Sequence, residues 1–438
     1  MKPGAHTPDS LAAWLDRMET LHPREIELGL DRARDVAVRM GLEKLPFPVI
    51  TVGGTNGKGS TVAMLEAILH EAGYLVGSYT SPHLLVYNER VRVARTESGD
   101  EELCAAFEQV DRHRGHTGLT YFEFGTLAAA ELLRSRGVDI AVLEVGLGGR
   151  LDAVNLWDAD VAVISSIGID HTDWLGPDRE SIGREKAGIF RAGRPAVCSD
   201  PSPPASLMQH AAAVGADLLI AGRDFRVEVT ESGWNWHCPR CGAGRMRASL
   251  PVPAMRGEYQ LRNAAGVLMA VESLGPRFAV NQADVRAGLQ HAVLPGRFQT
   301  LPGLPVRVLD VAHNAQAAQA LAATLASRKV AGRTLAVAGM LKDKPMRDVL
   351  VEMKDVVDVW LLSSLATPRG ASAEQLLAAL AAAGVTAAAG LYPDPVTAYS
   401  AALRQATDVD RIVVFGSFHT VGAILRALPL LAGNQRFF

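Results

Sequence analysis

Hydrophobic positions along this chain follow two periods that take turns. Short apolar, β-branched runs recur at residues 47–52, 138–145, 160–167, 306–311, 334–338, 357–362 and 411–415. Runs that are apolar on both faces suit strands in the interior of a parallel sheet covered by helices. Between them the period changes. Over residues 60–73, Val62, Met64, Leu65, Ile68 and Leu69 fall on one helical face. Strand and helix in alternation predict parallel sheets with helices packed on them. Residues 225–250 break the rhythm with short alternating runs (FRVEVT, GWNWHC) and predict a small β excursion. Leu294-Pro295-Gly296-Arg297-Phe298, followed by Pro302, Gly303 and Pro305, is dense in turn residues. A domain boundary is placed there, giving an α/β domain over 1–294 and a smaller α/β domain over 295–438.

Composition narrows the class. The chain has 438 residues, 48% hydrophobic and 21% charged, the profile of a globular protein. Lys plus Arg number 44 against 47 Asp plus Glu, a formal net charge of −3. Such a balance leaves no basic footprint and argues against nucleic acid as the main partner. Four cysteines are too few to staple a fold of this size. The opening residues carry no apolar secretory segment. The longest uncharged run, 375–393, is mostly alanine with Gly384 and Gly390 inside it. Alanine and glycine transfer too weakly for a membrane span, so this run reads as a buried helix and a turn. The expectation is a cytoplasmic protein with no membrane partner.

The densest chemical signal is Gly53-Gly54-Thr55-Asn56-Gly57-Lys58-Gly59-Ser60-Thr61. It follows a predicted strand and opens a predicted helix, the context a phosphate loop requires. Glycines let successive N–H groups converge on a polyphosphate, and the helix start adds its positive dipole end. Lys58 supplies a point charge for the outer phosphates. The spacing departs from the Walker pattern, because Gly59 separates Lys58 from the Ser60 hydroxyl.

This loop, Gly54 to Ser60, resembles that of the Mur ligase superfamily of ATP-dependent amide-forming enzymes. Further strings resemble one branch, the folylpolyglutamate synthase/dihydrofolate synthase family: residues 79–84 (YTSPHL), 121–126 (YFEFGT), 143–153 (LEVGLGGRLDA) and 170–176 (DHTDWLG). Downstream, 184–189 (REKAGI), 294–298 (LPGRF), 310–314 (DVAHN) and 416–420 (GSFHT) continue the match in order, over roughly residues 10–425. The resemblance implies a P-loop-containing, three-layer α/β ATPase domain followed by a Rossmann-like α/β domain. It also implies ligation of L-glutamate to dihydropteroate and to reduced folates through an acyl phosphate, with ATP as substrate. Folylpolyglutamate synthesis alone is the alternative, since motifs of the ATP machinery do not separate the two activities. A cell-wall Mur ligase and a regulatory module without chemistry are less well supported: 121–126 resembles a pteridine-binding segment, and Glu144, His171 and Lys186 are all present.

Residue roles are carried over on these strings. Gly54, Thr55, Asn56, Gly57, Lys58, Gly59 and Ser60, with Asn263, Arg297 and Asp310, are implied to bind ATP. Ser81, Glu144 and His171 are implied to hold two Mg²⁺ ions, and Glu144 also ends a predicted strand, where ligands of open α/β sheets bind. Lys186 reads by itself as a solvated helix lysine pairing with Glu185 or Asp178. The resemblance instead implies a carbamate, N6-carboxylysine, beside the second metal. Lys58, Glu144, His171 and Lys186 together make the implied catalytic set. Glu27, Leu28 and Gly29 of the ELGLDR string, Thr120, Tyr121, Phe122 and Glu123, and Leu151, Asp152 and Ala153 are implied to bind dihydropteroate. Tyr121, Phe122 and Phe124 would supply the stacking surface a flat heterocycle needs. His313 and Ser417 are implied neighbours of the glutamate site, although His313 reads equally well as a helix-capping histidine. His237-Cys238-Pro-Arg-Cys241 resembles half of a zinc site, but four ligands are required and neither Cys104 nor Cys198 offers a second pair. Unpaired surface thiols on a lineage-specific insertion are expected there, and a monomer overall.

Overall fold

The computed structural model describes residues 8–24, 26–242, 244–386 and 389–434. The chain divides into two compact units. Unit 1 is Met1–His83, Tyr87–Ala254 and Leu261–Ala292, and unit 2 is Leu84–Val86, Met255–Gln260 and Val293–Phe438.

Unit 1 is built on eight strands: β1 (Val49–Gly53), β2 (Val76–Tyr79), β3 (Val91–Val93), β4 (Thr96–Glu97), β5 (Ile140–Glu144), β6 (Val161–Ile164), β7 (Pro195–Cys198) and β8 (Asp217–Ile220). They lie in the order β4-β3-β2-β5-β1-β6-β7-β8. From β2 to β8 every pairing is parallel, and β3 and β4 are added antiparallel at one edge. The central strands are buried along their whole length, which explains why they read as unbroken apolar runs.

The helix Lys58–Glu71 was expected to bury one face; it buries Ser60 through Leu69 on every side. It is wedged between the sheet and the helix Gln282–His291, where a Cβ on Gly288 would come within 2.6 Å of Ile68 Cα. Its Glu66 is buried on the sheet side, held by Arg92 of β3 at 3.3 Å and by the Ser78 hydroxyl of β2 at 3.2 Å. Burial pushes the Glu66 carboxyl above its ordinary pKa.

The excursion is an antiparallel sheet of β9 (Arg226–Thr230), β10 (Gly233–Cys238) and β11 (Arg245–Leu250). Trp234 and Trp236 are buried, and the Trp236 indole donates to the Ala265 carbonyl at 3.1 Å. The expectation of unpaired surface thiols fails: Cys238 and Cys241 form a disulfide, and Cys238 is buried against Met269. Neighbouring His237 points elsewhere and pairs with Glu228 at 2.9 Å.

Unit 2 holds β12 (Gln299–Leu301), β13 (Val306–Leu309), β14 (Thr334–Ala338), β15 (Val359–Ser363), β16 (Ala389–Tyr392) and β17 (Arg411–Phe415), in the order β12-β13-β17-β14-β15-β16. All pairings but β12–β13 are parallel. The alanine-rich stretch 375–393 supplies the helix Ala373–Ala382, as expected, but its far end pairs as edge strand β16 rather than forming only a turn. Alanine favours helix, so the β16 pairing is a tertiary choice over local propensity. Among the described residues, no helix is long and apolar enough to cross a membrane.

Candidate active site

The phosphate loop leaves the carboxyl end of β1 and turns into the helix Lys58–Glu71. Two of its glycines are sterically required. Gly54 has φ +140°, and a Cβ there would meet Ser165 Oγ at 2.0 Å. Gly57 has φ +87°, and its Cβ would meet Asn263 Oδ1 at 2.8 Å. Asn263 is thus seated directly against the loop. Ser165, just past β6, donates its hydroxyl to the Asn56 carbonyl at 2.7 Å, and Thr55 N–H donates to the Ser166 carbonyl at 2.8 Å. The loop is therefore latched by the chain's own groups. Lys58 Nζ donates to the carbonyls of Gly54 at 3.2 Å and Thr55 at 3.4 Å. Lys186 Nζ, coming from the helix Arg179–Ala187, donates to the same Gly54 carbonyl at 3.0 Å.

A second ammonium on the same carbonyl oxygen disfavours the charge of a buried lysine. Lys186 is buried, and its pKa is pushed down to about 7, first by burial and then by Lys58, with Asp170 and Asp152 opposing. The solvated reading of Lys186 is thereby excluded. Its supposed partners are engaged elsewhere: Glu185 with Arg150 at 3.0 Å, and Asp178 capping its own helix through the Ser181 N–H at 2.8 Å.

Glu144 is the last residue of β5, buried, and its Oε2 accepts the Ser81 backbone N–H at 3.3 Å. His171 adopts φ +52° ahead of the short helix Thr172–Leu175, is exposed, and has Nε2 4.0 Å from Asp170 Oδ1. Among the described residues, no group of three or more His, Cys, Asp or Glu is placed to hold a metal. The Glu144 carboxylate and the Ser81 hydroxyl do fit Mg²⁺, which takes one or two carboxylates and fills its octahedron with water and substrate phosphate oxygens.

The aromatic segment borders the same sheet edge. Thr120 and Glu123 form a capping box at the start of the helix Tyr121–Ser135: Thr120 N–H donates to Glu123 Oε2 at 2.8 Å, and Glu123 N–H donates to Thr120 Oγ1 at 3.3 Å. The Phe122 ring closes on Gly146, just beyond Glu144, where a Cβ would approach to 2.7 Å. Tyr121 packs edge-on against Tyr87, and the buried Arg90 guanidinium lies over both rings at 5.5 and 5.2 Å. Phe124, expected as stacking surface, is instead a core residue packed on Trp14 and Phe107. It lies three residues along the helix from Tyr121, on the face turned to the interior.

Asp152 is buried with Oδ2 on Leu147 N–H at 2.8 Å and Oδ1 on Val154 N–H at 3.0 Å. Burial raises its pKa to about 6 against those donors and the field of Lys58. Ala153 beside it is buried and Leu151 half-buried. Glu27, Leu28 and Gly29 are half-buried too, and Gly29 N–H reaches the Leu151 carbonyl at 3.4 Å.

In unit 2, Asp310 is buried beyond the end of β13 and accepts the N–H groups of Phe298 and Ala312, each at 2.8 Å. Burial pushes its carboxyl pKa up, with Arg297 opposing. The Arg297 guanidinium lies 5.1 Å from the Phe418 ring centre, and the His313 ring is 6.2 Å from the same ring. His313 Nδ1 is 2.8 Å from the Val311 carbonyl, and the residue precedes the helix Ala315–Ser327, which Asn314 caps. Ser417, past β17, takes the Thr420 N–H at 3.0 Å. Two residues escaped the sequence reading. Arg32 links Glu27 to Glu123, and Ser165 latches the phosphate loop. The paired serines near the end of the 160–167 run were a usable signal for the second; the first closes the ELGLDR string, but nothing in the string says what its guanidinium reaches.

Two family models match this architecture: the Mur ligase middle domain over residues 52–271, and the Mur ligase glutamate ligase domain over 296–418. The fold and the phosphate loop thus define an ATP-dependent Mur-type ligase. The chain is 45% identical to the dihydrofolate synthase/folylpolyglutamate synthase of Escherichia coli, over 97% of each chain. It is 40% identical to that of Haemophilus influenzae, over 94% of this chain and 96% of the other. Among solved structures, E. coli FolC in complex with DHPP and ADP superposes with a TM-score of 0.92 at 44% identity, covering 98% of this chain and 100% of that one. The bifunctional enzyme of Yersinia pestis complexed with AMPPNP and Mn ion gives 0.89 at 45% identity, covering 97% and 100%. The chain belongs to the dihydrofolate synthase/folylpolyglutamate synthase family of Mur ligases.

Proposed function

We infer that this enzyme uses ATP to join L-glutamate to dihydropteroate, giving dihydrofolate, and to reduced folates, giving folylpolyglutamates. One observation carries the reading. The latched phosphate loop, Glu144 on Ser81 and the aromatic segment closing on Gly146 all gather at the carboxyl ends of β1, β2, β5 and β6. A nucleotide and a flat acid acceptor would meet at that edge.

The acceptor carboxylate is a poor electrophile, so it first takes the γ-phosphoryl group of ATP, releasing ADP and leaving an acyl phosphate. The amine of glutamate then attacks the acyl carbon, phosphate departs, and the amine loses a proton. In this reading Gly54 to Ser60 and Lys58 hold the phosphates, and Asn263, Arg297 and Asp310 complete the nucleotide site. Charge neutralisation and alignment supply most of the acceleration. Ser81, Glu144 and His171 would hold two Mg²⁺ ions, which would neutralise phosphate charge when bound. Lys186 carries a carbamate in this scheme: its neutral amine adds to CO₂ and one proton leaves, turning an uncharged group into an anion. The buried, low-pKa amine supports that assignment. Residues 27–29, 120–123 and 151–153 bind the pteroate. His313 and Ser417, beyond the neighbouring strands β13 and β17, attend glutamate. Residues 1–294 form the ATP-binding domain and 295–438 the glutamate-ligating one. The enzyme acts on small metabolites in the cytoplasm, as a monomer whose proposed site draws on one chain.

An oxygen-isotope transfer tests the chemistry. With dihydropteroate labelled by ¹⁸O in its carboxylate, the acyl phosphate route carries one label into the released phosphate. Unlabelled phosphate would contradict it.

A further inference from the structure

Arg32 ends the ELGLDR string but is not among its residues assigned to substrate, yet it joins two of the assigned segments. Its Nη1 donates to Glu27 Oε1 at 2.6 Å, its Nη2 to the Glu27 carbonyl at 2.6 Å, and its Nε to Glu123 at 3.0 Å. The Glu123 carboxylate it reaches is the one that closes the capping box with Thr120. Gly29, two residues after Glu27, in turn meets Leu151. One guanidinium therefore fixes the 26–30 stretch against residues 120–123 and, through Gly29, against the 151–153 turn.

We propose that Arg32 is the positioning residue of the acceptor site, holding these separate stretches as one preformed wall for the pteridine-bearing substrate. The inference rests on the reading of those segments given above. An exposed ion pair would carry no such weight, since its strength is spent on ordering two long side chains in water. This one differs in burial: the Glu123 side chain is 4% exposed and that of Arg32 22%. A lysine cannot replace it fully, because a single ammonium lacks the planar fork that serves a carboxylate, a carbonyl and a second carboxylate together. Burial of Glu123 also means that it is spoken for by the cap and by Arg32. Its influence on the acceptor then runs through the placement of Tyr121 and Phe122.

Dihydropteroate and reduced folates share the pterin and aminobenzoate, so the wall serves both. Arg32→Met should raise KM for dihydropteroate and for tetrahydrofolate by the same factor, roughly ten- to a hundredfold, as expected for loss of charge-assisted hydrogen bonds that preorganise a site. KM for ATP and for glutamate should hold, and kcat should fall far less than acceptor KM rises. Arg32→Lys should recover part of the loss. Because Arg32→Met leaves a buried carboxylate without its cation, the pair Arg32→Met with Glu123→Gln is measured beside it. That double variant keeps a side-chain acceptor for Thr120 and should show the same acceptor-specific rise. A merely structural arginine would lower the active fraction, dropping kcat for every substrate with all KM values unchanged, and that pattern overturns the proposal. So does an unchanged acceptor KM in the folded double variant. If the wild type extends tetrahydrofolate but ignores dihydropteroate, the bifunctional reading fails, while the tetrahydrofolate KM still decides the role of Arg32.

Discussion

Lys186 carries the most distinctive chemistry at the scale of single residues. Its amine shares the Gly54 carbonyl with Lys58 and is pushed down to about pKa 7, burial being the larger cause. An unperturbed lysine is neutral in about one molecule in a thousand near pH 7.5, whereas this one is mostly neutral there. CO₂ adds only to the neutral amine. The sign follows: uptake should be low below the folded pKa and rise as pH climbs through it. Carbon-13 NMR of the enzyme under ¹³CO₂ should show a carbamate signal that grows between about pH 6 and pH 8 and is missing in Lys186→Ala. A signal that falls over that range, or persists in the variant, would refute the assignment. None of this was legible in REKAGI as a string. A lysine beside a glutamate on a helix reads as solvated, and only the tertiary approach of Gly54 makes it buried and cation-crowded.

Among the elements, the loop between β1 and the helix Lys58–Glu71 is the most constrained. Gly57 combines φ +87° with the Asn263 amide at 2.8 Å from any added Cβ. Gly57→Ala must therefore strain the backbone and displace Asn263 together. Nucleotide affinity, read by ADP titration, should fall at least about tenfold, since strain of about 1–3 kcal/mol is usual for a non-glycine residue forced into such a conformation. Retention of full ADP affinity would show that neither constraint bears on nucleotide binding. This loop was readable in advance, because glycine spacing, the strand before it and the helix after it all express local rules. The helix itself was misjudged on one point. Its apolar positions predicted a single buried face, but Gln282–His291 covers the side at Ile68, and Glu66 is buried against Ser78 and Arg92 of the sheet. Contacts made by elements distant in sequence leave no mark on local periodicity. The same reason hid the core role of Phe124 and the strand pairing of β16.

For the whole molecule, the alternation of strands and helices already announced two α/β blocks. In each sheet the carboxyl ends of the parallel strands form the edge at which open α/β folds bind ligands. In unit 1 that edge carries the phosphate loop, Glu144 and the aromatic segment. In unit 2 it carries Asp310, His313 and Ser417. What separates this enzyme from one that only lengthens existing folates is its acceptor, a pteroate that has not yet received any glutamate. The purified protein should therefore be given ATP, Mg²⁺, L-glutamate and dihydropteroate, with dihydrofolate and ADP followed together by chromatography. The account predicts one dihydrofolate formed for each ADP released, and none when ATP or glutamate is left out. Extension of tetrahydrofolate under the same conditions, with dihydropteroate recovered unchanged, would contradict it.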